Sequence, residues 1–308
     1  MKNLFDFLLR PKNNEATTKS KTQPTFIELF REFNEREALQ NSLSLKTQSK
    51  YNNFCDNLEA FLKNVDMINI TAEELNAAII EDFRHWLHKN LSSCGLTHSS
   101  KHINQCKRVM DYALTKGFVK YNSISFLKTK RDKVKEVVAL EDVELKKWVS
   151  AKWESSVYQK AQDLYTFQTS SGLSYMDLFS YKTIKDSLDQ LWIESVRGKT
   201  NKPFYVPLWH KDFINALKIH EKYGGKLPYL HNGAYNRYIK EMAQILGIEK
   251  YLTTHTGRKT FATNKDQQGW STNTIASMLG NTDDVCRNHY VKTSKGKIEA
   301  EMVRLKIA

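Results

Sequence analysis

Disulfides, prolines, glycines and long apolar runs are all scarce in this chain. Four cysteines (Cys55, Cys94, Cys106 and Cys286) spread over 308 residues are too few for a disulfide scaffold, and free thiols are expected. Five prolines and 12 glycines exclude collagen-like and proline-rich chains. No apolar run reaches the roughly 18 residues that a membrane span needs. The N-terminus is apolar but carries Asp6 and Arg10 and lacks a small-residue cleavage site. It does not read as a signal peptide, so a cytosolic protein with no membrane partner is expected. Acidic residues are also outnumbered: 34 Asp+Glu face 47 Lys+Arg, a net charge of +13. What is present suffices for folded cores, with 40% hydrophobic and 11% aromatic residues, which excludes a disordered chain. The length suits two domains. The basic excess calls for a polyanionic partner, nucleic acid before an acidic membrane surface.

The charge is concentrated. Residues 101–135 hold ten basic residues against Asp111 and Asp132, a net +8 of the chain's +13. The run from Lys128 through Lys130 and Arg131 to Lys133 and Lys135 reads as a linker along a phosphate backbone, or as an ordinary solvated charge run. Lys101, Lys107 and Arg108 sit just upstream on a helix face. The expected DNA contacts are therefore Lys101, Lys107, Arg108, Lys128, Lys130, Arg131 and Lys133.

Patterning divides the chain. Residues 1–24 are polar and read as a flexible segment. Thr25-x-x-Glu28 is a capping box, followed by Phe26, Leu29, Phe30 and Phe33 at helical spacing. Tyr51, Phe54, Leu58 and Leu62 mark a second helix. A second capping box, Thr71-x-x-Glu74, opens a third helix through Ile79, Ile80 and Phe83. A fourth spans about 99–116. Residues 25–120 thus read as a four-helix domain, 121–136 as a basic linker and 137–308 as a second domain. That domain starts with helices near 140–148 and 157–168. Strands follow at 181–185, 191–196 and 203–207, with a turn over 198–202, and helices resume from about 211. The fold class is mainly α with a small antiparallel β-sheet.

Cys94, His98, His102 and Cys106 recur every four residues, which invites a zinc reading. On one continuous helix the outer two are separated by roughly 18 Å, while zinc ligands lie about 2 Å from one ion. All four cannot share an ion, and no metal is expected.

The C-terminal third carries a more specific pattern. Thr253-Thr-His255-Thr-Gly-Arg258 is followed by Leu279-Gly280-Asn281, and Tyr290 comes nine residues after Asn281. Lys199 sits upstream in the strand turn, and Ser171-Gly-Leu-Ser174-Tyr-Met-Asp177-Leu178 lies before it. Together these resemble the tyrosine recombinases, the phage-integrase family, across essentially the whole chain. The resemblance implies an N-terminal helical core-binding domain and a C-terminal α+β catalytic domain, which clamp double-stranded DNA between them. It implies site-specific cleavage and rejoining of DNA (integration, excision or inversion) through a 3′-phosphotyrosyl intermediate, with no cofactor, metal or ATP. Tyr290 would be the nucleophile and Arg258 the phosphate clamp. His255 would serve in acid–base work or orientation, and Lys199 would protonate the leaving 5′-oxygen. A homotetramer on two DNA sites is implied, with accessory DNA-bending factors as possible partners. The amphipathic stretch 295–306 would be the last helix, which in this family often docks on a neighbouring protomer. The layout resembles compact two-domain recombinases, so control through arm sites is not expected.

Two positions depart from the family pattern. Ser174 stands where the first catalytic arginine belongs, and Asn281 where histidine usually follows Leu-Gly. Lys259 is a milder departure. Serine donates one hydrogen bond but carries no charge, and asparagine can donate to a phosphate oxygen but not charge. Some mobile-element integrases of this family have serine at the first position. Arg197 and Arg287 are the candidate replacement cations. The alternative is a catalytically degenerate relative that binds DNA without turnover. A general basic RNA-binding protein would not account for the ordered motif set.

Overall fold

The computed structural model describes residues 23–132, 138–289 and 302–303. The chain divides into two compact units, Met1–Val134 and Lys135–Ala308.

The first unit is helical: α1 (Phe26–Gln40), α2 (Leu45–Asn64), α3 (Ala77–Asn90) and α4 (Leu96–Thr115). The Thr25–Glu28 capping box forms as expected and starts α1. Its apolar stripe, Phe26, Leu29, Phe30 and Phe33, is buried against Phe54, Leu58 and Leu62 of α2 and Ile103, Val109 and Met110 of α4. The second box behaves differently. Thr71 N–H and Oγ1 both donate to Glu74 Oε2 at 2.8 Å, but they close a turn. Thr71, bridged to Thr25, is followed by a single turn over residues 72–74 and not by a helix. The helix starts at Ala77, where Asn76 Oδ1 accepts from the amides of Ala78 and Ile79.

Residues 118–132 lie along this unit. Ile124 and Leu127 are buried, and Ser123 Oγ donates to Leu75 O at 2.7 Å. Gly95 precedes α4 without a side-chain cap. Asp132 supplies one from outside the helix, its carboxylate accepting from the amides of Leu96 and Thr97 at 2.9 and 3.0 Å. Ser100 and Lys130 exchange two further bonds.

The second unit contains α5 (Asp142–Ser150), α6 (Ser156–Ser171), β1 (Thr183–Lys185), β2 (Leu191–Val196), β3 (Pro203–Pro207), α7 (Ile214–Lys222), α8 (Asn232–Ile245), α9 (Thr254–Gln267), α10 (Thr272–Leu279) and α11 (Asp283–His289). The sheet is antiparallel in the order β1-β2-β3, with Ile193 opposite both Thr183 and Val206. The first strand is shorter than the pattern 181–185 suggests, because the Tyr181 amide donates to Asp177 O at 3.0 Å and not to a strand partner.

Helix α6 runs through the core despite its polar residues. Several of its buried polar groups are satisfied by partners, as burial favours. Gln162 donates to the carbonyls of Trp148 and Ala151 at 2.6 and 2.8 Å. Asp163 accepts from Lys222 and Tyr223 at 2.6 and 2.7 Å. Gly172 ends the helix in the left-handed region, at φ +75°. A Cβ there would lie 2.5 Å from Phe261 Cδ1, so only glycine fits.

The expected C-terminal helix over 295–306 lies outside the described residues, apart from Met302 and Val303, which are helical. No helix among the described residues is long and apolar enough to cross a membrane.

Candidate active site

Three segments of the second unit converge. The turn between β2 and β3 brings Arg197, Lys199, Thr200 and Lys202. The N-terminal turn of α9 brings His255, and the end of α10 brings Gly280 and Asn281. Together they line a cleft of about 500 Å³. It holds three cationic side chains, an imidazole and an amide, with no acidic side chain among its lining residues. Such a lining suits an anion.

Local chemistry explains each position. Thr253 caps α9 through a reciprocal pair with Thr256, and Asn236 on α8 accepts from the Thr254 amide at 3.0 Å. His255 therefore sits in the first helical turn with its side chain exposed. Gly280 ends α10 in the left-handed region, at φ +58°, and Asn281 N–H returns to the Ala276 carbonyl at 2.9 Å. That sharp stop is the normal use of a glycine after a helix. Here it also brings Asn281 against the β2–β3 turn, where a Cβ on Gly280 would sit 3.4 Å from those of Arg197 and Phe204.

Arg258, three residues after His255, is 3% exposed. Its Nη1 donates to Gly172 O at 2.6 Å, and its Nη2 donates to Leu279 O. The guanidinium thus ties the end of α6 to the end of α10, directly before Gly280. Ser174 is half-buried, and its Oγ donates to Asp177 Oδ2 at 2.6 Å. Asp177 is buried and accepts the Gly198 amide on its other oxygen at 3.1 Å. Through Asp177, Ser174 therefore contacts the turn that carries Lys199. Ser174 and Arg258 do not themselves line the cleft.

Arg197 occupies the junction. Its Nη1 donates to Asn281 Oδ1 and, at 3.5 Å, to Gly280 O. A guanidinium only donates, so the atom facing it must be the amide oxygen. Arg287 is exposed on α11 and is not among the cleft residues. Tyr290 lies outside the described residues. Thr200 and Lys202 were not singled out from the sequence. Their only signal was membership of the same five-residue turn as Lys199.

The expected DNA contacts separate into two groups. Lys101, Lys128, Lys130 and Arg131 have exposed side chains. Lys107 Nζ instead donates to Ser125 O at 2.9 Å and to Leu127 O. Arg108 pairs with Glu37 and donates to Tyr51 Oη at 3.1 Å. Lys133 lies outside the described residues. No cluster of three or more His, Cys, Asp or Glu side chains that could hold a metal occurs among the described residues. Of the evenly spaced quartet, His102 and Cys106 are buried in the first unit's core. His102 lies against Phe54, ring centroids 4.3 Å apart.

A family model, the phage integrase SAM-like domain, matches residues 25–131. The chain is 24% identical over 291 residues to the tyrosine recombinase XerC of Rickettsia bellii (strain RML369-C), covering 86% of this chain and 92% of that protein. It is likewise 24% identical over 301 residues to XerC of Rickettsia prowazekii (strain Madrid E), covering 89% and 94%. Among solved structures, the fold is similar to the Tn1549 transposon integrase in complex with a circular intermediate DNA. That match has a TM-score of 0.67 and 15% identity, over 92% of this chain and 100% of that one. A lambda integrase dimer bound to a core site matches with a TM-score of 0.70 and 15% identity, over 87% and 96%. A lambda integrase tetramer bound to a Holliday junction matches with a TM-score of 0.67 and 14% identity, over 89% and 80%.

Proposed function

The chain belongs to the tyrosine recombinase family, and from that premise we propose that it is an active site-specific DNA recombinase working through Tyr290. The Tyr290 hydroxyl attacks a DNA phosphodiester and gives up its proton, with His255 in the acid–base role. The phosphorus–tyrosyl-oxygen bond forms as the bond to the 5′-oxygen breaks, and Lys199 delivers a proton to the departing oxygen. A 5′-hydroxyl from another strand reverses the step and releases Tyr290. The phosphotyrosyl bond keeps the phosphodiester energy, so strand rejoining needs no ATP. The DNA partner is a duplex, and the working assembly is a homotetramer on two sites, as the similar lambda integrase tetramer on a Holliday junction suggests. Accessory DNA-bending factors belong to the same reading.

The observation that carries this proposal is the cationic cleft itself. Lys199 and His255, far apart in sequence, line it together with Arg197, Lys202 and Asn281. Developing charge on a pentavalent phosphorus is stabilised by fixed donors of this kind. Arg258 ties the end of α6 to the end of α10, which carries Gly280 and Asn281 into the cleft, and is proposed as the phosphate clamp. Lys101, Lys128, Lys130 and Arg131, with exposed side chains, are proposed to meet the DNA backbone.

The second reading, a DNA-binding relative without turnover, is favoured by Ser174. Its hydroxyl is taken up by Asp177, and position 174 contributes no charge. One experiment decides between them. Cells carrying the gene's native flanking DNA express either the wild type or Tyr290→Phe, and DNA junctions are sequenced. New junctions with the wild type alone are expected, with DNA affinity of the two proteins nearly equal. Junctions formed equally well by Tyr290→Phe would sink the mechanism. None with either protein would favour the non-catalytic reading.

A further inference from the structure

The two departures from the family pattern both reach the β2–β3 turn, Asn281 through Arg197 and Ser174 through Asp177 and the Gly198 amide. Asn281 replaces a side chain that carries its own N–H donor, and Ser174 leaves the site one guanidinium short. Arg197 belongs to that turn. Its Nη1 takes the Asn281 amide oxygen, and this contact has a consequence for the other end of the amide. With Oδ1 held, the Nδ2 group is turned away from Arg197. It is buried and has no hydrogen-bond partner among the described residues. A buried donor without an acceptor is costly, and native proteins rarely keep one without a use. Asn281 lines the cationic cleft, where an anion oxygen would supply the missing acceptor.

A free asparagine can present either its oxygen or its nitrogen, and the two orientations have opposite effects on a phosphate. The oxygen would repel it and the N–H would bind it. A guanidinium at the oxygen removes the ambiguity. The left-handed turn at Gly280, φ +58°, sets the end of α10 beside Arg197.

We propose that Arg197 is a positioning residue for Asn281: it locks the amide as a donor toward an anionic phosphate in the cleft, so that the pair does the work of the family's histidine. The inference rests on the recombinase reading for the identity of the phosphate. Its test separates the two.

The first measurement is formation of the covalent protein–DNA adduct on a duplex carrying the mapped junction. It compares the wild type, Arg197→Ala, Asn281→Ala and the double variant. Each single change is expected to slow adduct formation on the order of 10²-fold, as the loss of one oxyanion donor does. If Arg197 acts through Asn281, removing it from Asn281→Ala changes the rate by less than about twofold. Asn281→His, whose imidazole needs no such partner, should restore Arg197→Ala to roughly the wild-type rate. Effects that multiply in the double variant, with no rescue by histidine, would overturn the proposal.

The second measurement needs no DNA and no turnover. The side-chain amide resonances of Asn281 are followed in the full-length protein during titration with inorganic phosphate. They should move with phosphate in the wild type, and Arg197→Ala should require at least roughly fivefold more phosphate for the same shift. An unchanged titration would overturn the pairing. A wild type that forms no adduct yet shows the Arg197-dependent shift would contradict the recombinase reading while leaving the pair intact.

Discussion

At the scale of single residues, His102 shows how a motif suggestive of chemistry can be structural. It is fully buried between Phe54 and Phe83. Its Nε2 meets Asn57 Nδ2 at 3.1 Å and its Nδ1 meets His98 O at 3.1 Å. An amide nitrogen can only donate and a carbonyl can only accept, so the ring is neutral with its proton on Nδ1. Burial pushes its pKa down to about 4, with the charges of His98 and Lys50 adding to the effect. The unfolded chain, with a pKa near 6.5, therefore takes up the proton first as the pH falls. The first unit should be less stable at pH 5 than at pH 7 by about 2 kcal/mol from this group alone. Urea unfolding followed at a fluorotryptophan in position 86 reads this unit, and His102→Gln should remove that part of the pH dependence. An identical pH profile in the variant would refute the assignment.

At the scale of elements, the basic segment is not a free tether. The backbone of residues 128–132 is bound at several points: Arg84 donates to Lys128 O at 3.1 Å, Ser100 to Lys130 O at 2.7 Å, and the Asp132 amide to Thr97 Oγ1 at 2.8 Å. The Asp132 carboxyl is held below the usual aspartate range, first by the Thr97 hydroxyl and then by backbone amides. Asp132 therefore does for α4 what Gly95 cannot. Asp132→Ala should speed hydrogen exchange at the Leu96 and Thr97 amides several-fold and expose Lys128, Lys130 and Arg131 to trypsin. Unchanged exchange at those two amides would show that the cap contributes nothing. The β2–β3 turn is fixed on the same principle, since Asp177 takes the Gly198 amide and the Ser174 hydroxyl together.

At the scale of the whole molecule, the question is which of the 47 basic residues meet DNA. Counterion release makes the answer measurable, because each phosphate contact adds about 0.9 to the slope of log K against log salt. Replacing Lys128, Lys130 and Arg131 together with glutamine should flatten that slope by about 2 to 3 units. Lys107→Gln should instead leave the slope almost unchanged and lower thermal stability, because its ammonium braces the carbonyls of Ser125 and Leu127. Anisotropy of a labelled duplex across a salt series measures the slope. Equal slopes for the triple variant and the wild type would remove the strap from the interface.

Most of the elements were legible in the sequence, because capping boxes and apolar periodicity are short-range information. The Thr25 box, the stripes of α1, α2 and α4, and the strands 191–196 and 203–207 all appear where their residues put them. Lys199, His255 and Asn281, marked in the sequence by the order and spacing of their motifs, line one cleft. What could not be read was which distant groups meet. The Thr71–Glu74 pair has the chemistry of a helix start but closes a turn, and the helix begins only at Ala77, capped by Asn76. Asp132 caps a helix that begins 36 residues earlier. Arg197 reaches Asn281 across 84 residues, and Arg258 reaches Gly172 across 86. Sequence alone determined most of the helices and strands, because each depends on neighbours a few residues away. Only the tertiary structure decided which donor faces which acceptor, because those pairings depend on how the finished elements pack.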